Sequence, residues 1–191
     1  PDYPELEELI DRLIDAHAPQ GVGISLPSSR TDTFTVELAK KIARVRKPGL
    51  TFAPEAGTQR LRDVINKQVT EDDYFAALEA ALDSGWQAVK LYFMIGLPPE
   101  TMEDIEAVAD MINRAVALGR EKLGKTRGRL RITVSIGNFV PKSHTPFQWW
   151  GQDTVENLQA KQKLLRDSLR GREIRLSWNN PHISWLEATL S

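Results

Sequence analysis

The sequence predicts an α/β chain forming a curved section of a parallel (β/α) barrel, and three observations carry the prediction. Short apolar runs alternate with longer amphipathic stretches along the 191 residues, the signature of strands spaced by helices. Strands joined in this way pair in parallel, through right-handed helical crossovers. The turns between them are rich in Gly and Pro, yet no G-x-G-x-x-G opens a helix after the first strand, so a doubly wound dinucleotide fold fits less well. In a βα barrel, reactive side chains gather at strand C-termini, which here fall near 25–30, 54–57, 94–98 and 137–142.

The chain opens with a helix. Leu6, Leu9, Ile10, Leu13 and Ile14 repeat at helical spacing, Glu5, Glu7 and Glu8 suit the start of the dipole, and Pro19 and Gly21 stop it. Val22, Ile24 and Leu26 then alternate as a short strand, broken by Pro27. A helix over about 35–46 turns Leu38, Ala39, Ile42 and Ala43 inward and ends at Pro48-Gly49, before a strand over 50–53. After Pro54-Glu55-Ala56-Gly57 come a short helix to about Ile65 and a longer one over about 72–83. Thr70 begins the second, with Phe75, Leu78 and Leu82 on its buried side.

The run from Lys90 to Gly96, with Tyr92, Phe93 and Ile95, reads as a strand buried on both faces and ended by Gly96-Leu97-Pro98-Pro99. Thr101 caps the next helix with Asp104 three residues on, and Ile105, Val108, Ala109, Ile112 and Val116 mark its apolar face. The basic stretch 120–129 is either a solvated link or a binding patch. Leu130, Ile132, Val134 and Ile136 form a fourth strand, and Asp153 caps a last long helix, with Glu156 at the capping-box position and Val155, Leu158, Leu165 and Leu169 on its apolar side. A strand over 174–178 and a helical tail over 183–188 close the chain. The expected organisation is one domain over 1–191, with a leading helix over 1–20, four βα units over 21–150, and a helix and extension over 151–191.

With 25 basic and 26 acidic side chains, net charge points to neither nucleic acid nor membrane. No stretch of eighteen apolar residues and no basic-then-apolar leader is present, so the expectation is a cytoplasmic protein without a membrane partner. There is no cysteine. His17, His144 and His182 are too scattered for a metal triad, no H-E-x-x-H occurs, and Ser28 and Ser29 have no histidine nearby.

Two stretches carry a resemblance. Met-Ile-Gly-Leu-Pro-Pro-Glu-Thr, Met94 to Thr101, resembles the xxxGLPgET signature on the fifth barrel strand of radical S-adenosylmethionine (radical SAM) enzymes. The stretch Phe139 to Trp150, FVPKSHTPFQWW, is similar to the FVPKPHTPFQW stretch of an uncharacterised bacterial group of B12-binding-like/radical SAM Fe-S oxidoreductases. The resemblance implies a six-stranded partial TIM-like barrel, whose first strand carries C-x-x-x-C-x-x-C for a [4Fe-4S] cluster. Gly21 to Leu26 matches strand three, Thr51 to Gly57 strand four, Lys90 to Gly96 strand five, and Thr133 to Val140 strand six.

Strands one and two, with the cluster cysteines, have no counterpart in this sequence. The chain is therefore expected to be the C-terminal half of a radical SAM domain that, in the full-length protein, binds S-adenosylmethionine and a [4Fe-4S] cluster and generates a 5′-deoxyadenosyl radical acting on an unknown substrate. As this fragment it is expected to bind neither cofactor and to be inert. Its first partner would be the missing N-terminal half of the barrel in the same polypeptide. The strand 22–26 would then be an open edge, and Leu26, Phe52 and Phe93 would be uncovered on the inner wall, favouring self-association.

Carried over residue by residue, the resemblance places Glu55 at the end of strand four. Lys67 stands where an Arg often meets the cofactor carboxylate, and is otherwise a solvated helix-end lysine. Tyr92 lies near a ribose-binding acidic position, Met94 and Ile95 beside the adenine, and Asn138, Phe139 and Val140 on its other side. Ser25 and Arg30 would complete the polar end. Lys142, His144, Phe147 and Trp149 belong to a Pro-stiffened loop that either lines a substrate cavity or covers the barrel bottom. The competing reading is a non-catalytic βα module that binds a nucleotide or a protein partner through loop 139–150.

Overall fold

A computed structural model describes residues 5–22, 49–124 and 130–190. The expected strand 22–26 beyond Val22, with Leu26, the helix over 35–46, and Ser25 and Arg30 fall outside the described residues. Helix α1 (Leu6–His17) passes through a 3-10 turn (Ala18–Gln20). There follow β1 (Leu50–Glu55), α2 (Gln59–Val64), α3 (Glu71–Asp83), β2 (Ala88–Ile95), α4 (Met102–Leu123), β3 (Arg131–Asn138), α5 (Val155–Ser168), β4 (Ile174–Trp178) and α6 (Pro181–Leu190).

The four described strands form one sheet in the order β1-β2-β3-β4, parallel throughout. This is an α/β fold consistent with a partial TIM-like radical SAM barrel. The segment 174–178 does more than extend the chain: it pairs in parallel with β3, so the sheet continues beyond the strand matched to the sixth.

Helices cover one face of this sheet. Phe52, Leu91, Phe93, Ile132, Val134 and Ile136 pack in one core with Ile10 and Ile14 of α1, Tyr74 and Leu78 of α3, Ile105 and Ile112 of α4, and Leu158 and Leu165 of α5. Phe52 and Phe93 are 0% and 2% exposed, so the expectation that they line an open inner wall is overturned. The reason is strand parity: side chains alternate faces along a strand, and these two rings fall on the helical side. Lys90, Tyr92 and Met94 take the opposite side and are half-buried, so β2 is not buried on both faces.

Capping explains where the helices begin. Thr70 and Asp73 form a reciprocal capping box on α3, and Thr101 and Asp104 form the one expected on α4. On α5 the expectation fails: Thr154 is the cap, its side chain accepting from the Asn157 N–H, and Asp153 turns elsewhere. On α3 it is Tyr74 that is fully buried, with Phe75 at the core margin and the two rings edge to face. On α1, Ile10 and Ile14 are buried while Leu9 and Leu13 stay exposed. Among the described residues no helix is long and apolar enough to cross a membrane.

Candidate functional site

The strand C-termini meet in two braced turns. After β2, Gly96 has φ +81°, and a Cβ there would stand 2.9 Å from Leu158 Cδ2, so glycine serves both the backbone and the packing. Its N–H donates to Glu100 Oε1 at 2.7 Å, closing the turn. The Glu100 side chain is 1% exposed and receives Lys161 Nζ of α5 at 2.5 Å. The same ammonium donates to Asp153 Oδ2 at 2.7 Å, so one lysine ties the turn after β2 to the loop after β3.

Burial pushes the Glu100 carboxyl above its usual range, against hydrogen bonds from Lys161 and Gly96. Burial works the same way on Asp153, but bonds from Lys161 and Asn157 outweigh it and hold that carboxyl low. Lys161 is held above the usual lysine value, because the bonds to Asp153 and Glu100 outweigh its desolvation. A cavity of about 540 Å³ opens beside this network, lined by Pro98, Met102, Trp150, Asp153, Asn157 and Lys161 among others.

The turn after β1 is braced on the start of α4. Gly57 lies so close that a Cβ would stand 2.3 Å from the Val108 backbone nitrogen. Asp104 accepts from Thr58 Oγ1 at 2.5 Å, from Thr101 N–H at 2.8 Å and from the Arg60 guanidinium. Burial would raise its carboxyl, but these donors hold it below the usual range. Arg62 is buried and its guanidinium bonds to neutral oxygens, donating to the Ala56 carbonyl at 2.9 Å and to Gln59 Oε1 at 3.1 Å; desolvation lowers its pKa against the charges of Glu71 and Asp63.

Several residues singled out in the sequence converge on this rim. Lys67 Nζ lies 3.4 Å from Glu55 Oε1, both side chains about a quarter exposed at the end of β1. Glu55 itself has φ +70°, at an irregularity in the β1–β2 register. Met94 and Phe147 pack on a small satellite cluster of Ala56, Leu61, Leu97 and Phe139, with the Phe139 and Phe147 rings edge to face at 5.9 Å. Tyr92 sits lower on the open face, where its hydroxyl accepts from Lys90 Nζ at 2.5 Å. Val140 is half-buried just beyond β3.

Other candidates go elsewhere. Asn138 falls on the helical side of β3, where its amide donates to Ser184 Oγ of α6 at 3.0 Å and its Oδ1 is buried without a partner. Ile95 is fully buried on the helical side. Lys142 forms an exposed ion pair with Glu187, and His144 is exposed with φ +63°. Trp149 is 87% exposed, so the aromatic loop divides into an inward half at Phe139 and Phe147 and an outward half at Trp149 and Trp150.

Sequence reasoning missed Glu100, Lys161, Asp104, Arg60 and Arg62 as the residues that hold the rim. One signal was present: Lys161 lies between Leu158 and Leu165 on the buried stripe of α5, and a cation inside an apolar stripe implies a buried partner. Among the described residues no group of three or more His, Cys, Asp or Glu is placed to hold a metal ion. The chain contains no cysteine, so its residues do not fit a thiolate-held [4Fe-4S] cluster, whereas the Lys67–Glu55 pair and the Met94–Phe139 ledge fit a zwitterionic, ring-bearing ligand.

An uncharacterized protein of Methanocaldococcus jannaschii, MJ0966, is 35% identical over 184 residues, covering 94% of this chain and 36% of that protein. An uncharacterized protein of Methanopyrus kandleri, MK0932, is 25% identical over 138 residues, covering 72% of this chain and 26% of that protein. The chain thus spans about a third or less of the relatives it matches. The model of the Radical SAM superfamily matches residues 1–112, more than half of the chain, running from α1 through both braced turns into α4; the chain belongs to the radical SAM superfamily.

Proposed function

We propose that this chain is the C-terminal part of a radical SAM Fe-S oxidoreductase barrel, supplying the cofactor-facing ends of the later strands while the rest of the polypeptide supplies the cluster ligands. The observation that carries the reading is the meeting of a cation–carboxylate pair, Lys67 with Glu55, and an apolar ledge, Met94 with Leu97 and Phe139, at the same rim. When bound, S-adenosylmethionine and a reduced cluster supply the radical chemistry of the family. The residues of this chain bind, orient and shield. Lys67 has donors to spare for a carboxylate, and the ledge receives a flat ring. The Asp104 and Lys161 networks keep both turns from shifting.

By itself the chain is inert, for want of thiolates to hold the cluster. The test uses the full-length protein, anaerobically reconstituted with iron and sulfide and mixed with S-adenosylmethionine and dithionite. The reading expects 5′-deoxyadenosine from the full-length protein and none from the chain alone. A full-length protein that carries a cluster yet neither binds S-adenosylmethionine nor forms 5′-deoxyadenosine sinks it. The outward Trp149 and Trp150 support a second role for the loop, contact with a protein partner beside the rim.

A further inference from the structure

The open face of the sheet is organised in rows. The register aligns Thr51 with Lys90, Lys90 with Thr133, and Thr133 with Arg175, one row across all four strands. One pleat closer to the strand N-termini, Ala88 pairs with Arg131, and one pleat closer to the rim Tyr92, Ser135 and Ser177 align. All these residues lie on the face away from the helices, half-buried or exposed, whereas their neighbours Val89, Leu91, Ile132 and Val134 are buried. The face therefore carries three cations, Lys90, Arg131 and Arg175, beneath a shelf of hydroxyls.

Among the described residues none of the three has a carboxylate partner, and Lys90 meets only Tyr92, through its hydroxyl and across its ring. The described strands include one carboxylate, Glu55, which lies past the register shift at the end of β1 and is taken by Lys67 at the rim. Several cations between elements elsewhere are matched: Arg60 to Asp104, Arg114 to Glu71, Lys161 to Glu100 and Asp153. In a chain of net charge −1, a cationic floor under a hydroxyl shelf is a local concentration of one sign.

We infer that this face binds an anionic group, a phosphate or a carboxylate of the substrate, between Lys90, Arg131 and Arg175, with the Tyr92, Ser135 and Ser177 hydroxyls bonding to its polar body. β2 and β4 stand two strand spacings apart, roughly 10 Å, a gap that a phosphate or carboxylate group bridges when long cationic side chains lean in from both sides. Guanidinium groups match the oxygens of such groups in pairs. A barrel lumen also raises the cost of leaving cations bare. The inference rests on the barrel reading above and adds the substrate class: an anion-tailed molecule whose reactive end points to the rim.

The test uses the full-length protein and follows its thermal unfolding with inorganic pyrophosphate, with succinate, and with sodium chloride at matched ionic strength. The expected result is a saturable rise in Tm with pyrophosphate or succinate and none with chloride; whichever anion acts identifies the phosphate or the carboxylate. Arg175→Gln and Lys90→Gln should each weaken the apparent affinity about tenfold, the loss of one charge-assisted hydrogen bond. Arg175→Lys should keep part of it. Arg120→Gln, on a surface pair with Glu173, should change nothing. Absence of a saturable effect in the full-length protein means that carboxylates of its own chain occupy the floor, and overturns the inference; so does equal affinity in Arg175→Gln. Formation of 5′-deoxyadenosine without anion binding sinks this inference alone, whereas its failure sinks the barrel reading.

Discussion

Thr58 donates its hydroxyl to Asp104 at 2.5 Å across 46 residues of sequence. Thr58 is the N-cap of α2, and Asp104 closes the capping box of α4. One carboxylate therefore joins the turn after β1 to the turn after β2, with the Arg60 guanidinium as its counter-charge. The two turns that bear the rim residues are one mechanical unit.

Asp104→Asn keeps the shape and removes the charge, and should cost about 2–4 kcal/mol at neutral pH, the range for breaking a buried, charge-assisted network. Because the Asp104 carboxyl is held below its usual range in the fold, its stabilisation is full above the unfolded value of about 3.9. It is lost as pH falls through the lower folded value. Guanidinium titrations should show the gap between wild type and Asp104→Asn narrowing in acid. A gap that does not change with pH would mean the charge is not what stabilises the joint. Glu100, whose carboxyl burial raises, contributes with the opposite sign, favouring the fold most in acid.

Lys161→Met should be worse than a surface lysine change. It strands Glu100 and Asp153 without their shared cation, and a buried pair broken on one side costs about 3–5 kcal/mol. Adding Glu100→Gln removes the stranded carboxylate and should return part of that loss, so the two changes should be non-additive. Chemical denaturation of the four proteins in the cycle measures it. Additive losses would show that Lys161 and Glu100 do not act as a pair.

Gly57→Ala should destabilise by about 3 kcal/mol or more, because the new methyl meets the backbone of α4 at Val108 and Ala107 rather than a side chain that can swing aside. Gly49→Ala, where nothing lies within 4 Å of the added Cβ, should stay within about 0.5 kcal/mol. Similar melting temperatures for the two variants would mean that the close approach of turn and helix is not maintained in solution.

What was legible in the sequence were the features with a local cause. The Thr101–Asp104 box, the break at Gly96 and the helix that follows are set by residues within a few positions of one another, and the structure has them. Parity was misread on β2 because Tyr92 is apolar enough to blur the alternation, although Lys90 two residues earlier marks the open face. The cap of α5 was misplaced by one residue for a non-local reason: Asp153 is drawn to Lys161, eight residues on, which leaves Thr154 to cap. The expected Phe75 stays at the core margin while Tyr74 takes the buried place, its ring meeting Phe52 across the core and its buried hydroxyl lacking a partner. The rim networks pair residues 46 and 61 positions apart, and no local pattern announces such pairs.

Lys67 is the residue on which the cofactor reading turns. It follows Asn66, which holds φ +54°, so the chain reverses there and brings the lysine back over the end of β1 to Glu55 at 3.4 Å. An ammonium has three donors, and a single long bond to a carboxylate leaves it able to take a second one. If the methionine carboxylate of S-adenosylmethionine is that second partner, Lys67→Ala should weaken binding to the full-length protein by about 1–3 kcal/mol. Lys67→Arg, which keeps the charge and adds a fork, should be milder. Glu55→Gln separates this from a purely structural pair: it breaks the ion pair while freeing the cation for the ligand. Calorimetric titration should therefore find affinity lost in Lys67→Ala and kept in Glu55→Gln. Equal affinity in Lys67→Ala and wild type would return Lys67 to the solvated lysines, and equal losses in both variants would make the pair a brace of the β1 turn rather than a cofactor contact.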